Sequence, residues 1–157
     1  MNRELSTVMF TGNVTHKLDP KSRVAVPAGW RAAHEGALLL IDAKRKGYPV
    51  VKCYTRASFA EMVASIRKGA EAMGALPGEI DQYVGDIIGS SFEAEVSTQG
   101  KLLIPKQQRE NLHLSDTATL VGRGAYFEVW LPEDFAATNT PEAIGKSKLD
   151  QYFGVLS

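Results

Sequence analysis

Lys21 and Arg23 stand two residues apart in Leu18-Asp19-Pro20-Lys21-Ser22-Arg23-Val24-Ala25-Val26-Pro27, in and just after what reads as a tight turn. A turn tip projects its side chains outward, and an arginine there can offer its planar fork to O6 and N7 of guanine or to a phosphate oxygen. Two readings of Arg23 stand side by side: contact with a nucleic acid, or an ion pair with Asp19 that braces the turn. One does not preclude the other. Asp19 reads as the residue that shapes the turn and orients Arg23, because a carboxylate facing phosphates would repel them. Lys101 holds the corresponding place in a second stretch, Val96-Ser97-Thr98-Gln99-Gly100-Lys101-Leu102-Leu103-Ile104-Pro105. As a point charge it suits a phosphate better than a base edge.

The two stretches overlie one another without a gap. Pro105 follows Pro27, Lys101 follows Arg23, Ser97 follows Asp19 and Arg109 follows Arg31 at one constant separation of 78 residues. Each copy has its own physical reading. Asp19-Pro20 is a preferred opening of a type I turn, and Ser97 with Gly100 three residues on builds the same kind of turn from other favoured residues. The apolar runs Val24–Val26 and Leu102–Ile104 suit short buried strands. Proline then stops each strand and sits well at the first position of a helix, which Ala28–Ala33 and Lys106–Asn111 supply. Each unit is strand, basic turn, strand, short helix. Arg31 and Arg109 lie on those helices, where packing of their stems or pairing within an oligomer is favoured over contact with DNA.

At 157 residues the chain is one ordinary domain or two small halves sharing a core, and the repeat favours the second description. With 44% hydrophobic and 23% charged residues it has the composition of a soluble globular protein, and no apolar run approaches the ~20 residues of a membrane span. Met1–Glu4 lead into a polar strand, so no signal peptide is expected. The single cysteine, Cys53, leaves no internal disulfide or multi-cysteine metal site and fits a reducing cytoplasm. It lies in an apolar strand, where a buried inert thiol is expected. His16, His34 and His113 have no partner at metal-ligand spacing, and no Gly-rich phosphate loop or nucleophile elbow is present. No enzyme, cofactor, metal or small-molecule substrate is therefore expected. Formal net charge is zero but uneven: residues 1–31 carry +3 and 57–95 carry −5, which points to an anionic partner for one face.

Thr7–Lys17 reads as the entering strand. Ala37–Ile41 and Val50–Tyr54 read as a hairpin joined by a long basic loop, Lys44 to Pro49, which is a solvated loop before it is an anion contact. Thr117–Val121 and Tyr126–Leu131 repeat the hairpin with the shorter Gly122-Arg123-Gly124. Between the halves, Ser58 and Glu61 suggest a capping box. Phe59, Met62, Val63, Ile66, Ala70 and Met73 recur at helical spacing, as core or subunit interface. Leu76-Pro77-Gly78 would end that helix, and Glu79–Ile88 would form a second. Pro132–Phe135 begin another, and Glu142–Phe153 read as a terminal helix.

Phe10-Thr11-Gly12 with Leu18–Pro27 and Trp30-Arg31 resembles the first half of the bacterial MraZ family. Gly100–Pro105 with Arg109, then Leu120-Val121-Gly122 and Phe127-Glu128-Val129-Trp130, is similar to its second half, so the likeness spans about residues 8–135. The resemblance implies an α+β fold of two tandem swapped-hairpin units, related to the AbrB and SpoVT domains, forming an internal pseudo-dimer with connecting helices. The units would occupy 7–56 and 90–135, with a helical connector at 57–89 and a possibly helical tail at 136–157. It further implies a homo-oligomeric ring that binds double-stranded DNA at repeated promoter elements upstream of the division and cell-wall gene cluster. Such a protein would be cytoplasmic and nucleoid-associated, a transcriptional regulator, read as a repressor with activation left open. The DNA-contact role falls on Lys21 and Arg23, with Lys101 and Lys17, and the turn-shaping role on Asp19, Ser97 and Gly100. The chain departs from the family pattern at Ser22, where glycine is usual, at Ser97 in place of aspartate, and at Lys101 in place of arginine. A protein-interaction module with the same fold and little DNA binding is the alternative.

Overall fold

Pro27 and Pro105 each close a three-residue strand, β2 (Arg23–Ala25) and β6 (Lys101–Leu103). These two strands pair with each other, antiparallel, as Arg23↔Leu103, Val24↔Leu102 and Ala25↔Lys101. Val24 and Leu102 are equivalents in the repeat, so a pseudo-twofold axis runs through that pair. The flanking bonds obey it: Val26 N donates to Gly100 O at 2.9 Å and Ile104 N to Ser22 O at 3.2 Å. The computed structural model describes residues 9–31, 37–145 and 147–156. Thr7, Val8, Ala32, Ala33 and His34, and the Arg31 side chain, lie outside that description.

Six further strands make one antiparallel sheet: β1 (Asn13–Lys17), β3 (Ala37–Arg45), β4 (Tyr48–Tyr54), β5 (Phe92–Glu95), β7 (Thr117–Gly122) and β8 (Tyr126–Trp130), in the order β1-β7-β8-β4-β3-β5. The entering strands are exchanged. β1 of the first half pairs with β7 of the second, and β5 of the second with β3 of the first. Neither hairpin is completed by its own half, which is the swapped arrangement in a single chain. Val24, Val26, Leu38, Leu40, Leu102, Ile104, Leu120, Phe127 and Val129 interleave as the core between the large sheet and the β2–β6 pair. At about 25 cal/mol per Å² of apolar surface, burial of this kind is the main stabilising term.

Several expectations need correction. The Lys44–Pro49 loop is a two-residue turn: Lys46 and Gly47 have φ of 52° and 86°, and β3 and β4 pair as far as Arg45↔Tyr48. Positive φ at both central residues is the hairpin turn whose twist suits the flanking strands. The entering strand starts at Asn13, with Phe10 making one separate bridge to Gly124. The short helices stand where expected, α1 at Ala28–Arg31 as far as the described residues run and α4 at Lys106–Leu112, but Pro105 is the N-cap of α4 rather than its first residue. Helix α2 (Arg56–Ala72) is capped by Thr55, whose hydroxyl accepts from Ser58 N at 3.0 Å, so Ser58 is the third residue of the box rather than its cap. Of its apolar stripe Phe59 is buried, Met62, Val63 and Ile66 are half-covered, and Met73 is 87% exposed. Pro77 opens α3 (Pro77–Ser90) instead of ending α2, with Glu79 Oε1 accepting Leu76 N. After α5 (Pro132–Thr138), the terminal segment is two helices, α6 (Pro141–Gly145) and α7 (Lys148–Phe153). Ser147 re-caps the chain between them by accepting Asp150 N.

Candidate functional site

The first turn runs Asp19-Pro20-Lys21-Ser22. Ser22 N donates to Asp19 O at 2.8 Å, Asp19 N to Arg23 O at 2.9 Å, and Ser22 has a left-handed φ of 62°. This is a type I turn followed by a left-handed residue, the usual three-residue hairpin loop. The second turn repeats it bond for bond. Gly100 N donates to Ser97 O at 2.8 Å, Ser97 N to Lys101 O at 2.9 Å, and Gly100 has φ 77°. Serine at position 22 bears the strain that glycine escapes.

Asp19 is a bracing residue. Its Oδ1 accepts Lys21 N and Arg23 N, both at 2.9 Å, and its Oδ2 accepts Arg23 Nε at 2.8 Å. The backbone bond from Arg23, the Arg23 side chain and the backbone bond from Lys21 together hold its carboxyl below the usual range against the cost of burial. Lys101 Nζ lies 3.7 Å from the same Oδ2. Ser97 Oγ accepts Lys101 N at 3.1 Å, reproducing one of the backbone bonds of Asp19 but none of its charge. Two cations from two copies of the repeat thus face one carboxylate.

Lys21 is exposed at the tip, and Arg23 and Lys101 are partly exposed beside it. Lys17 is exposed on β1. The structure brings Lys21, Arg23 and Lys101 together through the β2–β6 pair. The second tip is much less basic: at the same separation, Gln99 stands for Lys21, Glu95 for Lys17 and Glu93 for Thr15. Arg109 is structural, its Nη1 donating to Ile104 O at 2.5 Å. Arg45 of the basic hairpin is partly covered and ion-paired. Its Nε donates to Glu128 at 2.8 Å, as does Arg123 Nε, and Trp130 Nε1 donates to Glu128 at 2.9 Å. Burial pushes the Glu128 carboxyl up, and those three bonds more than offset it, leaving it below the usual range. Reading the sequence for cations alone missed this clasp; a lone glutamate inside the apolar run Phe127–Trp130 was the signal, because a buried carboxylate needs partners. Among the described residues no three His, Cys, Asp or Glu side chains form a group that could hold a metal ion, and no helix is long and apolar enough to cross a membrane.

No protein-family model matches the chain. Individual relatives do. The chain is 31% identical over 127 residues to "Transcriptional regulator MraZ" of Roseiflexus sp. (strain RS-1), spanning 79% of this chain and 82% of that protein. The chain belongs to the MraZ family. The MraZ proteins of Thermomicrobium roseum (30% over 132 residues, 82% and 86%) and Alcanivorax borkumensis (29% over 145 residues, 88% and 96%) are similar along most of their lengths. As a MraZ-family chain it has the expected α+β architecture with two swapped hairpin units.

Proposed function

We propose that the chain is a DNA-binding transcriptional regulator that grips repeated promoter elements, upstream of the division and cell-wall gene cluster as the family resemblance implies, through the turn tips of an oligomeric ring. The observation that carries this reading is the β2–β6 pairing, which sets Arg23 and Lys101 on one carboxylate, with Lys21 exposed on the turn that this carboxylate braces. Among the described residues Asp19 takes the Nε–H of Arg23 and leaves its terminal guanidinium N–H groups for a base edge or phosphate, so bracing and reading coexist. Lys21, Lys101 and Lys17 supply phosphate contacts. One subunit with so few cations binds weakly at physiological salt; a ring facing several repeats gains avidity through effective concentration. The connector at 57–89 and the tail at 136–157 serve assembly rather than DNA, and the protein acts at the nucleoid.

The test is a salt-dependent gel shift with promoter DNA carrying tandem repeats. Binding that falls roughly tenfold or more in Arg23→Ala while oligomer size is unchanged supports the reading. Wild-type protein that fails to shift such DNA even at low salt overturns it. The acidic second tip, with Glu93 and Glu95 at the places of Thr15 and Lys17, favours the alternative of a protein-interaction module, and that negative result would select it.

A further inference from the structure

The two hairpins are covered unequally along their outer edges. On β7 the first half's chain continues beyond β1: Gly122 N donates to Gly12 O at 2.8 Å, and Phe10 and Gly124 exchange both backbone bonds at 2.7 and 2.9 Å. Phe10 inserts beneath this segment, edge-on to Trp30 at 5.6 Å and to Phe127 at 5.4 Å between ring centroids. Gly122 is obligatory there, because a Cβ would fall 2.5 Å from Phe10 O. On β3 the matching cover stops early. The pair Phe92↔Leu40 corresponds to Val14↔Leu120, so Asp42 and Lys44 are the equivalents of Gly122 and Gly124. Among the described residues nothing pairs with Asp42–Lys44 on that side, since the residues that would correspond to Phe10–Gly12 belong to α3.

The open edge is aimed for pairing. Pro49 has no N–H, so Lys44↔Pro49 is a non-hydrogen-bonded pair and the Lys44 N–H and C=O point away from β4, toward the uncovered side. Asp42, two residues earlier, points the same way. Alongside lies an open groove of about 330 Å³, lined by Asp42, Lys44, Pro49, Val50, Asn111 and Leu112. It lies beside α4, as the Phe10 ring lies beside Trp30 of α1. Trp30 donates to Thr11 O at 3.1 Å, whereas its equivalent Gln108 donates to Asp42 at 3.1 Å.

One segment of the chain has the chemistry of the missing cover. Phe10-Thr11-Gly12 is an aromatic residue two before a glycine with φ 81°, and Tyr152-Phe153-Gly154 is an aromatic two before a glycine with φ 70°. Tyr152, Phe153, Val155 and Leu156 are 68–85% exposed, and α7 is packed mainly on α6. We infer that the last turn of α7 opens and the C-terminal segment Tyr152–Leu156 of a second copy docks on the open Asp42–Lys44 edge as an added strand, with an aromatic ring in the groove beneath it. Strand addition of this kind takes its affinity from main-chain bonds and its specificity from the pocket beside them. The contact joins unlike surfaces, the kind that builds a ring where successive rotations close. It rests on the assembly reading above and names the surfaces that make it.

The experiment uses the full chain. Asn111→Cys and Tyr152→Cys proteins are mixed under mild oxidation, Cys53 being buried, and disulfide-linked dimers are identified by mass spectrometry. The mixed dimer should exceed either like-with-like dimer at least tenfold. In parallel, Lys44→Pro removes an outward N–H without touching a bond to β4, and Tyr152→Ala/Phe153→Ala removes the anchor. Both should retain the wild-type melting temperature within a few degrees and shift the sedimenting species to smaller size. Wild-type-sized assemblies in both variants with no mixed dimer overturn the docking and leave the ring reading intact. A wild-type chain that is monomeric at every concentration overturns both. A doubly substituted chain that closes on itself at high dilution, with no link between chains, overturns the second copy as the occupant.

Discussion

Asp19 Oδ2 lies 2.8 Å from Arg23 Nε and 3.7 Å from Lys101 Nζ, so a residue of the first copy of the repeat is shared with the second. In a fully symmetric pair each tip would have its own carboxylate. Here Ser97 supplies the hydrogen bond and not the charge, and the tip region carries a net excess of positive charge.

Arg23→Ala and Lys21→Ala should therefore differ in kind. Loss of a bidentate base contact costs about 1–3 kcal/mol, a roughly tenfold or larger fall in DNA affinity that also relaxes sequence preference. Loss of Lys21 should weaken binding to all sequences evenly and lower the salt slope by about one. Titrations of cognate and scrambled tandem repeats at several salt concentrations separate the two.

Asp19→Asn keeps an oxygen for the backbone bonds and removes the ion pairs. The wild-type carboxyl titrates below its unfolded value, so its stabilising contribution is complete above the unfolded carboxylate range and fades as pH falls through the folded pKa. The variant should melt below wild type at pH 7, with the gap closing as pH falls through the folded pKa. Thermal melts across that range measure it.

Two backbone substitutions test the turn and the edge. Ser22→Gly relieves a left-handed serine and should stabilise by up to about 1 kcal/mol, raising the melting temperature a few degrees. Gly122→Ala drives a methyl into the Phe10 carbonyl and should destabilise by about 1–3 kcal/mol. Denaturant unfolding of the two variants should move the midpoint in opposite directions.

Glu128→Ala leaves Arg45, Arg123 and the Trp130 N–H without their acceptor and should cost about 3–5 kcal/mol. Glu128→Gln, which keeps an acceptor oxygen, should cost less. Because the folded carboxyl lies below its unfolded value, the penalty of Glu128→Gln should shrink as pH falls through the folded pKa. Equilibrium unfolding at pH 7 and near pH 3 provides the comparison.

Cys53 is fully buried in the core, and burial raises its thiol well above the ordinary value. A thiol reagent should label it only as the chain opens, at a rate that rises with denaturant. Labelling that is fast in the native state would contradict the packing of β4.

The local signals in the chain were read best where they were written twice. A single gapless offset carried the turns, strands, prolines and short helices; Asp19 and Gly100 took the backbone roles their types suggest, and Ser22 took glycine's left-handed place. What stayed hidden was tertiary. The Lys44–Pro49 run looks like a loop in composition, but Lys46-Gly47 is a sufficient turn and Arg45 has a buried partner 83 residues away. Ser58 resembled a cap because its capping partner, Thr55, stands at the end of a strand. The exchange of β1 and β5 leaves no trace in local pattern, since either partner would satisfy the same alternation. The turn geometry at Asp19, Ser97 and Gly100 was legible in the sequence, and the convergence of Arg23 and Lys101 on one carboxylate was not.

The exchanged strands bear on how the molecule would survive being cut. Each half lends the strand that finishes the other's hairpin, so a break in the exposed bend between α2 and α3, at Gly74–Leu76, would sever the covalent chain without removing any pairing. Two fragments made separately would each present a frayed sheet edge. On mixing they should reconstitute one particle, behaving as a heterodimer in which each piece is the other's template.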